Sequence, residues 1–549
     1  MVAPGSATEV ACDVVIAGAG PEMLDKPNMA TYGRATTLWP RSLELLDALD
    51  LLDPMLEAGV ISRNGVNFKD GKIVNGGLVF GHRMDKHGDT RFKFAFHLRQ
   101  KETEQCIVES YEALGNQVHF GHELVSFEQD VVGESPVRCI VRKADGTLLS
   151  VACKFVVGAD GGRSKVRKLA GIEFVGESLG AKWIRMDSPT HGLVLFAPID
   201  AGTTRIGFVL PADLVEQCGE KGVTPELAMA EAQKAVKPFS LEFVRVDWVT
   251  LYGIGQRLAS SFVKNRIILA GDSAHTHSSG SAQGLNTGIH DAANLGWKLA
   301  LTLKGLSKPE LLHTYNEERR ASVQTVIDND VIIASLVSGR RPPQLAHRPE
   351  EPRDLLDEWF TNRSKVEFTV GIGISYPRNN LLNVHDEEST CATMIPGQRG
   401  PDVELSRIGT GETVWLQRIL NNDGRFSIVT FASRHAVENL QTFTHYLRSQ
   451  ESFTNKFVGK SIRLFRFVTI IAGEGNGAEE LLGARPIGMP YFDPQRVAHD
   501  VYGIDTLKGA IVVFRPDGIV AACLALSDFA ILDDYFSRFL ERKESIALS

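Results

Sequence analysis

Asp13-Val14-Val15-Ile16-Ala17-Gly18-Ala19-Gly20-Pro21 reads as a short β-strand running straight into Gly-x-Gly. In a Rossmann βαβ unit the first glycine makes the tight turn. The second lets backbone amides approach a pyrophosphate at a helix N-terminus. Gly18 and Gly20 are therefore the first cofactor-binding candidates, with a plain Gly-rich turn as the alternative. The pattern then breaks. A third glycine belongs at position 23, where Met23 stands, and Glu22-Met23-Leu24-Asp25-Lys26-Pro27 follows at once. Pro27 excludes a long helix there. A βαβ unit needs a crossover helix and a second strand whose end carries the ribose-binding acid, about 20 residues on. Glu22 looks like that acid, set directly against Pro21. The expectation is that one helix and most of one strand, on the order of 20 residues or more, are missing from this unit. The alternative is a fingerprint that was never complete.

The chain around this stretch has 549 residues. At about 150 residues per domain that allows roughly two to four domains. Hydrophobic residues make up 43% and charged residues 23%, which excludes wholesale disorder. A net charge of −8 gives no broad basic face for nucleic acid. Mean hydropathy is −0.07, and no apolar run reaches the ~18 residues of a membrane span. Met1 to Thr8 carries neither a basic n-region nor an apolar stretch, so no signal peptide is expected. The seven cysteines are scattered without a CxxC, which predicts free thiols in a reducing, cytoplasmic setting.

Along the chain, short apolar runs alternate with helical patterns, as in an α/β fold. Helices are expected over Ser42 to Leu52 and Thr103 to Leu114, and paired strands over Val137 to Val151 around Asp145-Gly146. Ile289, Ala292, Ala293, Gly296, Trp297 and Ala300 recur at helical spacing, with Gly305 as the stop. Glu310 to Val337 is helical in pattern, and Arg340 to Pro352 is a polar, Pro-rich loop. From about Gly397 a second α/β pattern begins, with strands at Phe426–Phe431 and Ile511–Arg515.

Two later stretches carry chemistry. Lys154-Phe155-Val156-Val157-Gly158-Ala159-Asp160-Gly161-Gly162 and Arg266-Ile267-Ile268-Leu269-Ala270-Gly271-Asp272 are strands ending in an Asp, at the end where parallel sheets bind ligands. Either Asp alone fits an ordinary turn. With Gly18-x-Gly20, and in this order, the set resembles class A flavoprotein monooxygenases, the aromatic hydroxylases, and specifically their phenol 2-monooxygenase branch. Gln283-Gly284-Leu285-Asn286 and Asp291-Ala-Ala-Asn294-Leu-Gly-Trp297-Lys298 extend the likeness, as do Tyr315 with Glu318-Arg319 and Gln100 with Glu104.

The resemblance implies an α/β fold. An FAD/NAD(P)-binding Rossmann-like domain is interleaved with a mixed-sheet substrate domain and followed by a C-terminal thioredoxin-like domain. The implied division is a first FAD-binding segment over 10–180, which includes pieces of the substrate domain, and the substrate domain proper over 181–258. A second FAD-binding segment with its helices follows over 259–340, then a helical linker over 341–395 and the C-terminal domain over 396–549. The implied cofactors are FAD and NADPH or NADH. Reduced FAD reacts with O2 to a C4a-hydroperoxide that hydroxylates an aromatic ring. The implied FAD contacts are Gly18, Gly20, Glu22, Arg34, Gln100, Asp160, Gly161, Gly271, Asp272, Gln283, Gly284, Leu285 and Asn286. A helix starting near Gln283 offers free N–H groups and a positive dipole end to the reduced ring. His275 and His277 lack the spacing and the further ligands of a metal site.

Departures from the branch bear on the substrate. Thr36 stands where phenol hydroxylases hold an Asp, and Thr cannot act as a carboxylate base. Arg205 is kept as the candidate catalytic residue, but Gly207 replaces a Tyr, leaving room for a larger ring. Ser279 stands where a Pro lies beside the flavin. For Arg34 and Arg205 a surface ion pair is the alternative, and for Trp39 core packing is favoured over substrate stacking. The expected substrate is a bulky phenolic or polyketide-like molecule of secondary metabolism, with homodimer contacts through the C-terminal domain. The competing readings are a flavin-free homologue, because of the truncated first unit, or an FAD oxidase or dehydrogenase. A halogenase is disfavoured because Trp-x-Trp-x-Ile-Pro is absent.

Overall fold

The structure is a computed structural model that describes residues 10–18, 35–63, 65, 67–69, 71–74, 89–129, 136–182, 194–208, 210, 212–218, 222–250, 253–278, 281–377, 381–383, 393–457, 463–473 and 487–542. The apolar run before Gly18 forms strand β1 (Val10–Ala17). Beyond it come β2 (Thr37–Leu38), α1 (Pro40–Asp47), β3 (Val60–Ser62), β4 (Ala95–His97) and α2 (Gln100–Ala113). Both helices start earlier than their apolar spacing predicts. Pro40 fixes φ at the first helical position of α1, where its missing N–H costs nothing, and the helix stops at Asp47 before a left-handed Asp50.

Three strands then form an antiparallel ribbon, β5 (Glu123–Glu128), β6 (Val137–Arg142) and β7 (Leu148–Gly158), with the expected turn at Gly146. The C-terminal half of β7 is the centre of the first domain. It pairs in parallel with β1 on one side, through Ala17 opposite Gly158. Short helix α3 (Lys165–Leu169) follows β7, and then β8 (Phe174–Lys182), β9 (Leu195–Pro198), β10 (Thr204–Gly207) and β11 (Gly253–Ala259). The chain returns through β12 (Val263–Lys264) to β13 (Ile267–Leu269), which pairs in parallel with the other side of β7, and then to β14 (His275–Thr276). The sheet order is β12-β13-β7-β6-β5 with β1 also on β7. Among the described residues no strand pairs with the outer edge of β1. Ile16 is 63% and Val10 45% exposed there.

Two long helices cover the sheet, α4 (Gln283–Leu303) and α5 (Glu310–Val337), with Gly305 in the left-handed conformation between them. On α5, Leu311, Tyr315, Ser322, Val323, Val326, Ile333 and Val337 form one buried stripe at helical spacing.

The C-terminal domain is a seven-stranded mixed sheet. Its strands are β15 (Glu404–Arg407), β16 (Thr413–Trp415), β17 (Phe426–Ala432), β18 (Phe465–Ala472), β19 (Met489–Asp493), β20 (Ala510–Phe514) and β21 (Val520–Leu524), in the order β16-β15-β19-β18-β17-β20-β21. Every residue of β17, β20 and β21 is buried, because both faces of the sheet are covered. One face packs on helices α6 (Val437–Arg448) and α7 (Ile531–Ser537) and on Trp297 of α4, whose indole stands edge-on to Phe426 at 5.5 Å. Cys12, Cys106, Cys139, Cys153 and Cys218 are free thiols as expected, but Cys523 is disulfide-bonded. The all-thiol expectation is corrected there. Scattered spacing argues against a disulfide framework without excluding an individual bridge. Among the described residues no helix is long and apolar enough to cross a membrane.

The two domains meet through buried charges. Glu318 on α5 takes Lys298 Nζ at 2.7 Å and Arg515 Nη1 at 2.6 Å, and all three side chains are fully buried. Arg515 also pairs with Asp517, and Arg41 of α1 donates to the Asp517 carbonyl. Arg399 binds Glu44 of α1 and Asp89. Burial pushes the Glu318 carboxyl up, but Arg515 and Lys298 outweigh it and hold the group at about 2. Burial drives the Lys298 ammonium down, to about 8, against the pull of Glu318. Removing one partner strands the others in a dry interior, so Glu318→Gln is expected to cost about 3–5 kcal/mol of stability in urea unfolding. Arg348→Ala, which breaks only an exposed cluster with Glu350 and Glu358, is expected to leave the unfolding midpoint unchanged.

Candidate functional site

The site is built where β1, β7 and β13 end. At Gly18 the backbone has φ +107°, and a Cβ would stand 2.2 Å from the Ala159 carbonyl oxygen, so only glycine fits between the two strand ends. Asp160 follows β7. Its carboxylate accepts from Ser164 Oγ at 2.5 Å and from the N–H groups of Lys165 at 2.6 Å and Val166 at 3.0 Å. It caps α3. The sequence motif is therefore present, but the carboxylate is committed to its own turn, beside a left-handed Gly161. Arg167, at the start of α3, donates to the Gly162 carbonyl at 2.9 Å and the Ser273 carbonyl at 2.7 Å, tying this turn to the one after β13.

That second turn, Gly271–Ser273, is held from below by Asp291 of α4. The Asp291 carboxylate accepts from the Gly271 N–H at 2.9 Å, from His275 Nε2 at 2.7 Å and from Arg319 Nε at 2.7 Å. Burial raises its proton affinity, but His275 and Arg319 overcome that and keep it well below the usual carboxylate range. His275 is thus a brace, and no metal-binding group of His, Cys, Asp or Glu occurs among the described residues. Asp272, half-buried beside it, has no side-chain hydrogen bond among the described residues. A Cβ added at Gly271 would meet nothing within 4 Å, and the same holds at Gly284 in the first turn of α4.

Helix α4 packs close to this turn, where a Cβ added at Gly288 would stand 3.8 Å from Gly271 Cα. Ala282 is left-handed and turns the chain into the helix, whose first N–H groups have no intrahelical acceptor. Gln283 is spent on the Thr369 carbonyl, and Leu285 packs on the apolar cluster of Leu38, Leu43 and Phe94. Asn286 staples α4 to β2. It accepts from the Trp39 N–H at 2.9 Å and donates to the Thr37 carbonyl at 2.9 Å. Trp39 lies in the core with Ala95, Val370 and Ile372, and its indole N–H bonds the Ser281 carbonyl at 3.0 Å. Gln100 is also committed. Its Oε1 accepts from the Ala35 N–H at 3.2 Å and its Nε2 donates to Glu104 at 2.7 Å.

Across β2 lies a polar face. Arg205 of β10 donates to Thr36 Oγ1 at 3.3 Å, so two positions singled out separately in the sequence meet in space. The Arg205 guanidinium also stands 5.7 Å from the Trp248 ring. His97 on β4, directly opposite Thr37, shares a 3.1 Å hydrogen bond with Thr37 Oγ1. Burial, then the Arg205 charge, lowers the His97 pKa to about 4. His97 was not legible in the sequence. A single His in Phe96-His97-Leu98 has no spacing partner to mark it. Gly20, Glu22, Arg34 and Ser279 lie outside the described residues.

Comparison with known proteins identifies the family. Residues 11–330 match the FAD binding domain family, and residues 374–482 and 489–544 match the phenol hydroxylase C-terminal dimerisation domain. The chain is 26% identical to a 3-hydroxybenzoate 4-monooxygenase of Comamonas testosteroni, covering 96% of this chain and 94% of that one. It is 27% identical to a phenol 2-monooxygenase of Aspergillus fumigatus, over 95% of each. The first of these alignments runs over 611 positions, more than the 549 residues of the chain, and so contains gaps in this chain. In fold it is similar to aklavinone-11 hydroxylase, solved with FAD and aklavinone (TM-score 0.68, 22% identity, 96% and 98% covered). It is also similar to the anhydrotetracycline hydroxylase of Streptomyces rimosus (TM-score 0.67, 24% identity, 96% and 99% covered). With more than half of its length matched by the first of these families and most of the remainder by the second, the chain belongs to the FAD-dependent aromatic monooxygenases of the phenol hydroxylase type.

Proposed function

We propose that this protein uses FAD, NADPH or NADH, and O2 to hydroxylate a hydroxyaromatic molecule larger than phenol. The observation that carries the reading is the Arg205–Thr36 contact, joined through β2 and Asn286 to the start of α4. A polar, tryptophan-flanked face and an open, amide-lined helix terminus are then two sides of one site. Bound FAD supplies hydride uptake from NAD(P)H and transfer of one oxygen atom from O2 to the ring. The chain's own residues bind, orient and shield.

In this reading the N–H groups at Gln283, Gly284, Leu285 and Asn286 face the electron-rich end of the flavin, and Asp272 takes a ribityl hydroxyl. Gly271 and Gly284 are small so that the ring system can sit against backbone. Asp160, Gly161 and Gln100 act one step back, by fixing the turns and Ala35 in place. Gly20, Glu22 and Arg34 remain assigned to the nucleotide half by resemblance. Arg205 orients the substrate oxygen, and Gly207 leaves volume for extra rings. The C-terminal domain mediates homodimer contacts. A flavin-free protein has no support from the family matches.

Two measurements test this. Gly284→Ala is expected to fold at least as stably, since Ala gains up to about 1 kcal/mol over Gly in a helix, yet to lose most of its bound flavin absorbance. Gly296→Ala, on the exposed side of the same helix, is expected to keep its flavin. In a substrate panel, multi-ring hydroxyaromatics are expected to outperform phenol. Arg205→Ala is expected to raise their KM by about tenfold or more at unchanged flavin content, the loss of one charge-assisted hydrogen bond. A preference for phenol would overturn the size assignment.

A further inference from the structure

His97 is a half-buried ring with one committed nitrogen. Its Nδ1 is fixed by Thr37, its strand partner. Its Nε2 has no hydrogen bond among the described residues and is not sealed off from solvent. The carbonyl of the same Thr37 is held by Asn286 at the start of α4. The ring therefore lies one residue pair away from the turn that faces the proposed flavin space. Arg205 arrives from a different sheet, the β9–β10 pair. That pair is tied down by Asp200, which binds the Arg99 N–H at 2.9 Å and Arg99 Nε at 2.6 Å. Arg99 immediately precedes α2 and is two residues beyond His97. The chain thus ties a nitrogen base and a guanidinium to two consecutive residues, His97 to Thr37 and Arg205 to Thr36.

We propose that His97 Nε2, with Arg205, forms the subsite for the aromatic hydroxyl of the substrate. In this subsite Thr36 supplies no carboxylate. The imidazole nitrogen accepts the hydroxyl hydrogen bond and the guanidinium supports the negative charge on that oxygen. Thr37 is a positioning residue that sets the ring orientation and, with it, the tautomer. This rests on the reading of the chain as a hydroxyaromatic monooxygenase and adds the group that selects for the hydroxyl.

The facing groups define the pH response. Thr37 from β2 and Val60 from β3 flank His97 in the sheet and carry no charge. Arg205 from β10 is the charged group acting on it, and it disfavours protonation. Recognition of the hydroxyl should therefore stay constant between about pH 5 and 8, where an ordinary histidine would titrate.

The test uses the full-length, flavin-loaded protein and a pair of probes: the best hydroxyaromatic from the panel and its methyl ether. Binding is followed by the change in the visible flavin spectrum. The wild type is expected to bind the hydroxyl probe about tenfold more tightly than the ether, the worth of one buried hydrogen bond. His97→Phe should reduce that ratio to within about twofold with flavin content unchanged, and His97→Gln should restore some of it. Thr37→Val should weaken the ratio while leaving the flavin in place. An undiminished ratio in His97→Phe, or a wild-type ratio that halves near pH 6.5, overturns the assignment. Should the wild type hold flavin and hydroxylate substrate while His97→Phe behaves identically, only the role of His97 falls. Should it bind no flavin or no hydroxyaromatic, the functional reading falls and this inference with it.

Discussion

Two neighbouring residues of α5, Glu318 and Arg319, hold α4 in place from opposite directions. Arg319 reaches Asp291, whose other oxygen holds His275 and the Gly271 N–H, while Glu318 reaches Asn294 and Lys298 further along the same helix. A buried ion pair gives little net stability over a hydrophobic replacement, because desolvation cancels much of the attraction. What it does give is direction. An apolar stripe lets one helix slide or rotate on another at small cost, whereas two fully buried charge contacts fix both the rotation and the axial position of α4. The turn at Gly271–Ser273 and the first turn of α4 are then set relative to each other.

The same lock extends into the C-terminal domain. Arg515 shares Glu318 with Lys298, Asp517 sits between Arg515 and Arg41, and Arg399 clamps Glu44. Helix α1 is buried along its whole length as a result. Because α1 follows Trp39, and Trp39 and Thr37 are stapled by Asn286, the position of the Thr36–Thr37 face is fixed from two sides. The C-terminal sheet, which carries the match to the dimerisation domain, thereby backs the Thr36–Thr37 face.

Much of the architecture was legible in the sequence. Glu310–Val337, the α4 helix with its Gly305 stop, the turn at Gly146 and the C-terminal strands all follow from period and punctuation, because burial of one stripe or both sheet faces leaves a repeat. The roles of polar residues were less legible. Asp160 and Gln100 stand where the motifs put them, yet their oxygens are engaged by Ser164, Lys165, Val166 and Ala35. A motif fixes residue type at a backbone position, whereas the hydrogen bond the side chain makes depends on neighbours brought in by the fold. His97 and the Glu318 network were invisible for a related reason. Charges on a buried stripe look like surface charges until their partners from distant segments arrive, and Arg515 is 197 residues from Glu318.

The interrupted fingerprint after Pro21 lies next to one edge of the first sheet. Strand β1 keeps its parallel register on β7 over its whole length, and among the described residues β7 is its one strand partner. Among the described residues its other edge is bare, and Val10, Cys12 and Ile16 face outward, where a doubly wound sheet would bury them. The elements that frame the Gly271–Gly284 space draw their support from β7, β13, α4 and α5, none of which leans on the outer edge of β1. In the proposed reading, a deficit beside β1 would act on edge exposure and on the nucleotide half of the site. It leaves intact the geometry that joins the helix terminus of α4 to Thr36, Thr37, His97 and Arg205.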